Sequence, residues 1–333
     1  MEGRVAIVGL GCVGASIGLA LRQQSANLEV VGHDVDAERA RKAQQMGAVT
    51  RTSWNLPASC EEAGLVILAL PLPAVRETLW VLGPELSEGC VVTDTAPLKA
   101  PVVAWAGQFL PPSVRFVTGA PIPGPATPPG EPLSGPEAAR ADLFKGGIYC
   151  IAPTLETDAE AIQVLVALAH ALGAQPFFTE PLEYDGLQAA VTDLPALLAA
   201  ALLRATVDSP GWSDLRRMAG HEFAAVSGPS AADAPARVMA AMLNRANLVR
   251  RLDLLLDQLG WVRQWLLDGD EQALGEFYAQ AAAGRARWIA ERAGGQWEQG
   301  LEAAAKPPTP GERATQMFFG GLLRRPRREE EGD

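Results

Sequence analysis

The chain has 333 residues, 48% of them apolar and 20% charged, with 28 Lys and Arg against 39 Asp and Glu, a net charge of −11. That length fits two domains with cores of their own, and the composition excludes a chain disordered throughout. The acidic balance argues against nucleic acid or an anionic membrane as the main partner, so an anionic substrate needs a local cation or a helix N-terminus.

Met1–Arg4 leads straight into a strand pattern, with no leader-like segment ahead of it. The longest uncharged apolar run of the C-terminal half, 194–203, is ten residues, about half a membrane span. Cys12, Cys60, Cys90 and Cys150 form no Cys-x-x-Cys pair. Read as reduced apolar residues, they fit a cytoplasmic protein with no metal site.

In chain order, short β-branched runs at Val5–Gly9, Val30–Asp34, Leu65–Leu70, Val91–Thr93, Arg115–Gly119, Tyr149–Ala152 and Gln175–Thr179 predict strands. Helix-length spacers between the first three predict βαβ units of a parallel sheet. Thr157 and Glu160 have the spacing of a capping box for a helix reaching Gly173. Residues 111–136 hold nine of the 26 prolines and read as a loop, either a stiff connection or a ligand-contacting segment. From Pro181 the strands stop, and helices are expected over about 182–207, 230–267 and 270–293, with Asp268 and Asp270 as cap residues. The fold class is therefore α/β: a Rossmann-like parallel-sheet domain over 1–180, an all-α substrate and dimerisation domain over 181–295, and a tail over 296–333. Within that tail Met317–Leu323 is an apolar island that either docks or is incidental.

The strongest local signal is Gly9-x-Gly11-x-x-Gly14, directly after a strand and opening a helix. Gly9 allows the tight turn and Gly11 lets backbone N–H groups approach a pyrophosphate. Gly14 permits close helix–strand packing, and Cys12 and Val13 open the helix whose N-terminus favours phosphate. Asp34 ends the next strand, placed to accept the adenosine ribose hydroxyls and to repel a 2′-phosphate, with Asp36 adding to that repulsion. NAD is expected over NADP.

Segment 9–21, GLGCVGASIGLAL, resembles the opening of the prephenate/arogenate dehydrogenases, NAD(P)-dependent enzymes of tyrosine biosynthesis. Ala69-Leu70-Pro71 resembles that family's strand-end loop beside the cofactor, and 92–99, VTDTAPLK, its V-T-D-x-x-S-x-K segment with Asp94 and Lys99. Gly119–Gly124 resembles its G-H-P-x-x-G loop, 183–196 its H-D…S-H-L-P-H helix, and Asn244–Asn247 its N-R-x-N region. The resemblance covers about 1–260. It implies a nucleotide domain followed by a dimerising helical domain, with the active site between them. Gly9, Gly11, Cys12, Val13, Gly14, Asp34, Leu70, Pro71 and Asp94 are then the cofactor residues.

The departures fall on the substrate side. The family's catalytic histidine position is Ala120, its serine Pro97, its two S-H-L-P-H histidines Asp193 and Ala196, and its carboxylate-binding arginine counts back to about Gly228. Lys99 and Asp193 are the remaining catalytic candidates; Lys99 either attracts an anion or is solvated. Of the three histidines, His33 belongs near the adenosine edge, His170 is structural, and His221 is a helix-surface residue unless it reaches the cleft. Arg216, Arg217, Arg237, Arg245, Arg250 and Arg251 include possible replacements for the missing clamp. Trp261/Trp265 and Leu252/Leu256, at helical spacing, belong to a core or a dimer seam. An Asp193 carboxylate facing a dicarboxylate such as prephenate costs roughly 4 kcal/mol at about 4 Å and an effective dielectric near 20. It favours the ammonium of arogenate, unless Asp193 faces solvent or caps a turn. Three functions follow from these residues: the family's oxidative decarboxylation, a same-scaffold dehydrogenase for another hydroxy acid, and a non-catalytic NAD-binding protein.

Overall fold

The computed structural model describes residues 3–295 except 26, 129–132 and 232. The first half alternates strands and helices: β1 (Arg4–Val8), α1 (Cys12–Gln24), β2 (Glu29–His33), α2 (Ala37–Gln45), β3 (Arg51–Thr52), α3 (Leu56–Cys60), β4 (Leu65–Leu68), α4 (Leu72–Leu82), β5 (Val91–Asp94), α5 (Ala100–Phe109) and β6 (Arg115–Phe116). These six strands form one parallel sheet in the order β3-β2-β1-β4-β5-β6. Strand order reverses between β1 and β4, and a sheet of this kind leaves a crevice at the carboxyl ends of those strands.

The strands are apolar on both faces because helices cover both. Val5 and Ile7 face one cluster with α1, while Ala6 and Val8 face the other with α4 and α5. A second sheet follows, from β7 (Thr118–Ile122), β8 (Ile148–Ala152) and β9 (Gln175–Phe178), with α6 (Ala159–Ala171) between the last two. β7 and β8 are antiparallel, β8 and β9 parallel.

The expected strand Arg115–Gly119 is two strands. Arg115 and Phe116 pair with Val91 and Val92, whereas Thr118 pairs with Ala152, so the chain changes sheets at Val117. The expected capping box is corrected as well. Asp158 caps α6, accepting from the Glu160 and Ala161 amides, while the Thr157 hydroxyl closes the preceding turn by accepting from Thr154. Asp158 is one residue closer to the first helical turn, which puts its carboxylate in reach of the free N–H groups.

From Pro181 on, the described structure is helical: α7 (Pro181–Gln188), a π-helical turn (Ala189–Asp193), α8 (Leu194–Val207), α9 (Trp212–Met218), α10 (His221–Ser227), α11 (Ala234–Leu243), α12 (Arg245–Asp268) and α13 (Glu271–Gly294). The expected helix over 230–267 is broken at Asn244, whose backbone leaves the helical region. Gly269, in the left-handed region, ends α12, and Asp270 caps α13 through the Ala273 amide. α7, the π turn and α8 run on as one 27-residue stretch, Pro181–Val207, long and apolar enough by length and composition to cross a bilayer. The expectation of no such segment counted only 194–203. The stretch carries the buried polar residues Asp185 and Asp193.

The chain divides into two compact units, residues 1–279 and 280–333. The change from sheet to helix at about 180 lies inside the first. The expected tail 296–333, with Met317–Leu323, lies outside the described residues.

Candidate active site

The glycine turn is fixed by close approach. Gly9 has φ +95°, and a Cβ there would sit 2.3 Å from the Ala69 carbonyl oxygen; one on Gly14 would sit 1.9 Å from the Gly9 carbonyl oxygen. A Cβ on Gly11 would meet nothing within 4 Å, so its missing side chain leaves room for a ligand. Asp34 accepts from the Leu10 amide at 2.8 Å and from the Asp36 amide at 2.9 Å, which locks its carboxylate beside the turn. Arg39 approaches the same carboxylate at 3.5 Å.

A cavity of about 400 Å³ opens here, lined by Gly9, Gly11, Asp34, Leu70 and Pro71 among others. His33 also lines it and is held at 2.9 Å by the Ser53 carbonyl oxygen. Cys12 and Val13 form the first turn of α1 behind it. A dinucleotide's adenosine half fits this geometry: open backbone at Gly11 for phosphate, a helix N-terminus behind it, and a fixed carboxylate at ribose distance from the turn.

Asp94 does not line that cavity. It is fully buried, taking Lys99 Nζ at 2.8 Å, the Ala96 amide at 2.8 Å and the Thr118 hydroxyl. Lys99 is equally buried, and its ammonium also donates to the Gly119 carbonyl oxygen at 2.6 Å. Neither expectation for Lys99, anion capture or a solvated face, matches this geometry. A lysine sealed from water keeps its charge only beside a carboxylate, and Asp94 is that carboxylate. The pair ties the end of β5 to β7.

A second junction was missed in the sequence. Asp185 of α7 accepts from the Lys99 amide at 2.6 Å and the Ala100 amide at 3.1 Å, capping α5 across 85 residues. Asn244 donates to the Asp185 carbonyl oxygen at 2.8 Å and to Asp193 at 3.4 Å, and accepts from Asn247 at 2.9 Å. Burial pushes the Asp185 carboxyl up, against the two amides and Lys99. The motif resemblance reached these residues, but nothing local marks a carboxylate as the cap of a helix so distant in sequence.

Ala120, at the family's histidine position, is buried with Cys150 and Tyr184. Tyr184, of the 183–196 segment, packs there, and its ring lies 5.4 Å from Lys99 Nζ. Burial raises the thiols of Cys60, Cys90 and Cys150 to about 11, 12 and 11. Among the described residues none of the four cysteines forms a disulfide, and no cluster fits a metal ion.

Asp193 lines a different cavity, about 300 Å³, among α8, α11 and α12. It is 7% exposed, and burial raises its carboxyl, with the Asn244 hydrogen bond and nearby Arg237 acting the other way. Of the six arginines considered, Arg237 alone lines this cavity, and no histidine does. His170 and His221 are exposed on α6 and α10. Gly228 ends α10 with open space about it.

Residues 17–177 match the family model described as prephenate dehydrogenase, nucleotide-binding domain. The prephenate dehydrogenase of Bacillus subtilis is 28% identical over 287 residues, 84% of this chain and 75% of that one. The protein named probable prephenate dehydrogenase NovF of Streptomyces niveus is 30% identical over 270 residues, 79% of this chain and 70% of that one. Two solved structures share the fold. One is the A. aeolicus prephenate dehydrogenase in complex with hydroxyphenyl propionate and NAD+, with TM-score 0.76, 23% identity and coverage of 86% of this chain and 98% of that one. The other is the Synechocystis arogenate dehydrogenase, with TM-score 0.68, 24% identity and coverage of 86% and 99%. With its glycine turn, its Asp94–Lys99 pair and these relatives together, the chain belongs to the prephenate dehydrogenase family.

Proposed function

We infer that the chain is an NAD-dependent dehydrogenase that oxidises a cyclohexadienol acid with loss of its ring carboxylate, the aromatising step of tyrosine biosynthesis. The observation that carries this reading is the cavity at Gly9, Gly11 and Asp34 in a member of this family. NAD, when bound, accepts the hydride. The chain's own residues do the rest. The α1 N-terminus would receive the pyrophosphate, and Asp34 would accept from the ribose hydroxyls. The Asp94–Lys99 pair and the Asp185 cap hold the ends of β5, β7 and α5 in fixed relation, so Lys99 is a positioning residue. With Ala120 in place of a histidine, no imidazole assists proton removal. The rate then rests on how the chain orients substrate and cofactor. NADH formation from a panel of cyclohexadienyl and hydroxy acids tests the reading. The packing of Ala120 against Tyr184 also favours a second reading, a dehydrogenase for another hydroxy acid, and that panel separates the two.

NAD is expected to bind more tightly than NADP, because the Asp34 carboxylate lines the cavity where a 2′-phosphate would come, whereas Asp36, expected to add to that repulsion, instead caps α2 and does not line it. Asp34→Ala narrows the gap, since the ribose acceptor and the repulsion leave together. Calorimetric titration of both nucleotides checks this, and equal or tighter NADP binding by the wild type contradicts it.

The chain is expected to be a homodimer acting in the cytoplasm. Leu254, Leu256, Leu259, Trp261, Leu266 and Leu267 of α12 are each more than half exposed, an apolar surface that usually marks an interface. Light scattering at micromolar concentration decides it; a monomer refutes the assembly.

A further inference from the structure

The glycine turn and Asp34 account for the phosphates and the ribose of a dinucleotide and leave its base unread. The nucleotide cavity extends beyond them. Leu56 at the start of α3 and Ala74 and Val81 of α4 line it with hydrocarbon. Two polar side chains interrupt that wall, His33 at the end of β2 and Thr78 of α4, 7% and 8% exposed. The Ser53 carbonyl oxygen lies 2.9 Å from His33 Nδ1. A carbonyl only accepts, so Nδ1 carries the hydrogen, and in the neutral ring Nε2 keeps a lone pair. Among the described residues neither Nε2 nor the Thr78 hydroxyl has a hydrogen-bond partner, and neither is sealed from solvent. A polar atom on an apolar wall costs free energy until a ligand or water pairs with it.

We propose that His33 and Thr78 read the base and make the site selective for a 6-aminopurine over a 6-oxopurine. His33 Nε2 accepts from the exocyclic amine of adenine, and the Thr78 hydroxyl donates to a ring nitrogen. This rests on the nucleotide cavity of the reading above and on nothing about the substrate. The two residues divide the work by their hydrogen-bonding chemistry. The held imidazole offers the cavity an acceptor only, so a base with an oxygen at carbon 6 sets one lone pair against another. A hydroxyl donates or accepts, so Thr78 suits adenine and hypoxanthine alike and supplies affinity without choice. Glu77 also lines the cavity, but its carboxylate is exposed and water competes for it.

The test needs no turnover. NAD and nicotinamide hypoxanthine dinucleotide differ at carbon 6 of the base, and each is titrated by calorimetry into the full chain. The wild type is expected to bind NAD about tenfold or more tightly, the size of one hydrogen bond exchanged for two facing lone pairs. His33→Gln, whose amide offers a donor or an acceptor, brings that ratio toward one and largely keeps NAD affinity. His33→Phe, which keeps an aromatic ring and drops both nitrogens, also collapses the ratio, with weaker NAD binding. Thermal melting checks that each variant folds. Thr78→Val, the same shape without the hydroxyl, weakens both dinucleotides about fivefold and leaves the ratio, and Thr78→Ser restores the loss. Equal binding of the two dinucleotides by the wild type overturns the proposal and leaves the nucleotide at this cavity. So does a ratio unmoved in both His33 variants, a ratio that falls in Glu77→Gln instead, or unchanged affinities in Thr78→Val. Binding of neither dinucleotide overturns the nucleotide reading together with the proposal.

Discussion

Gly14→Ala is expected to lower NAD affinity by on the order of a hundredfold, about 2–3 kcal/mol, and to destabilise the fold by about 1–3 kcal/mol. A Cβ there stands 1.9 Å from the Gly9 carbonyl oxygen and 3.1 Å from the Ala69 Cβ. Neither neighbour is the far end of a flexible side chain, so α1 must move away from the sheet. Its N-terminus, where a pyrophosphate would bind, moves with it. Gly11→Ala is the control. Its Cβ meets nothing within 4 Å, so the melting temperature stays put while the phosphate loses its approach. Calorimetry and thermal melting of the two variants separate the effects. Unchanged NAD affinity in Gly14→Ala contradicts the placement of the nucleotide at this turn.

Lys99→Met carries the largest expected cost to stability. It leaves Asp94 buried among the Ala96 amide and the Thr118 hydroxyl with no cation, in a place where neither residue has measurable exposure. Breaking a buried pair from one side costs about 3–5 kcal/mol. That corresponds to a fall of roughly 6–20 °C in melting temperature for a domain of this size. The double change Lys99→Met with Asp94→Leu recovers part of the loss, because two apolar groups leave no unpaired charge. A single change costing less than about 1 kcal/mol by denaturant unfolding shows that water or another cation reaches Asp94.

Much of the fold was legible in the sequence because its signals are local. The glycine turn and the carboxylate that follows β2 lie within one stretch, 9–34, and each β-branched run is its own local signal. The residues that join sheet to helices were legible only as motif matches. Lys99 reads as anion-attracting or solvated in the sequence because its partners, Asp94 and the Gly119 carbonyl oxygen, come together only when β5 lies beside β7. Asp185 gave no cap signal because the helix it caps begins 85 residues earlier. The break at Asn244 was hidden by helix-forming neighbours on both sides. It is held open by side-chain bonds to Asp185 and Asp193, which no helical periodicity records. The strand division at Val117 was hidden likewise, since residues on either side favour strand and only the partners differ.

By the motif resemblance, the substrate side departs at Ala120, Pro97, Asp193, Ala196 and about Gly228, while the nucleotide side keeps its glycines and Asp34. Retained chemistry separates an enzyme from a nucleotide-binding protein. The most direct measurement mixes the full chain with NAD and either arogenate or prephenate and follows NADH absorbance and carbon dioxide release together. Oxidative decarboxylation predicts the two in one-to-one ratio, with an aromatic product. No NADH from either substrate, in a preparation that calorimetry shows to bind NAD, contradicts it.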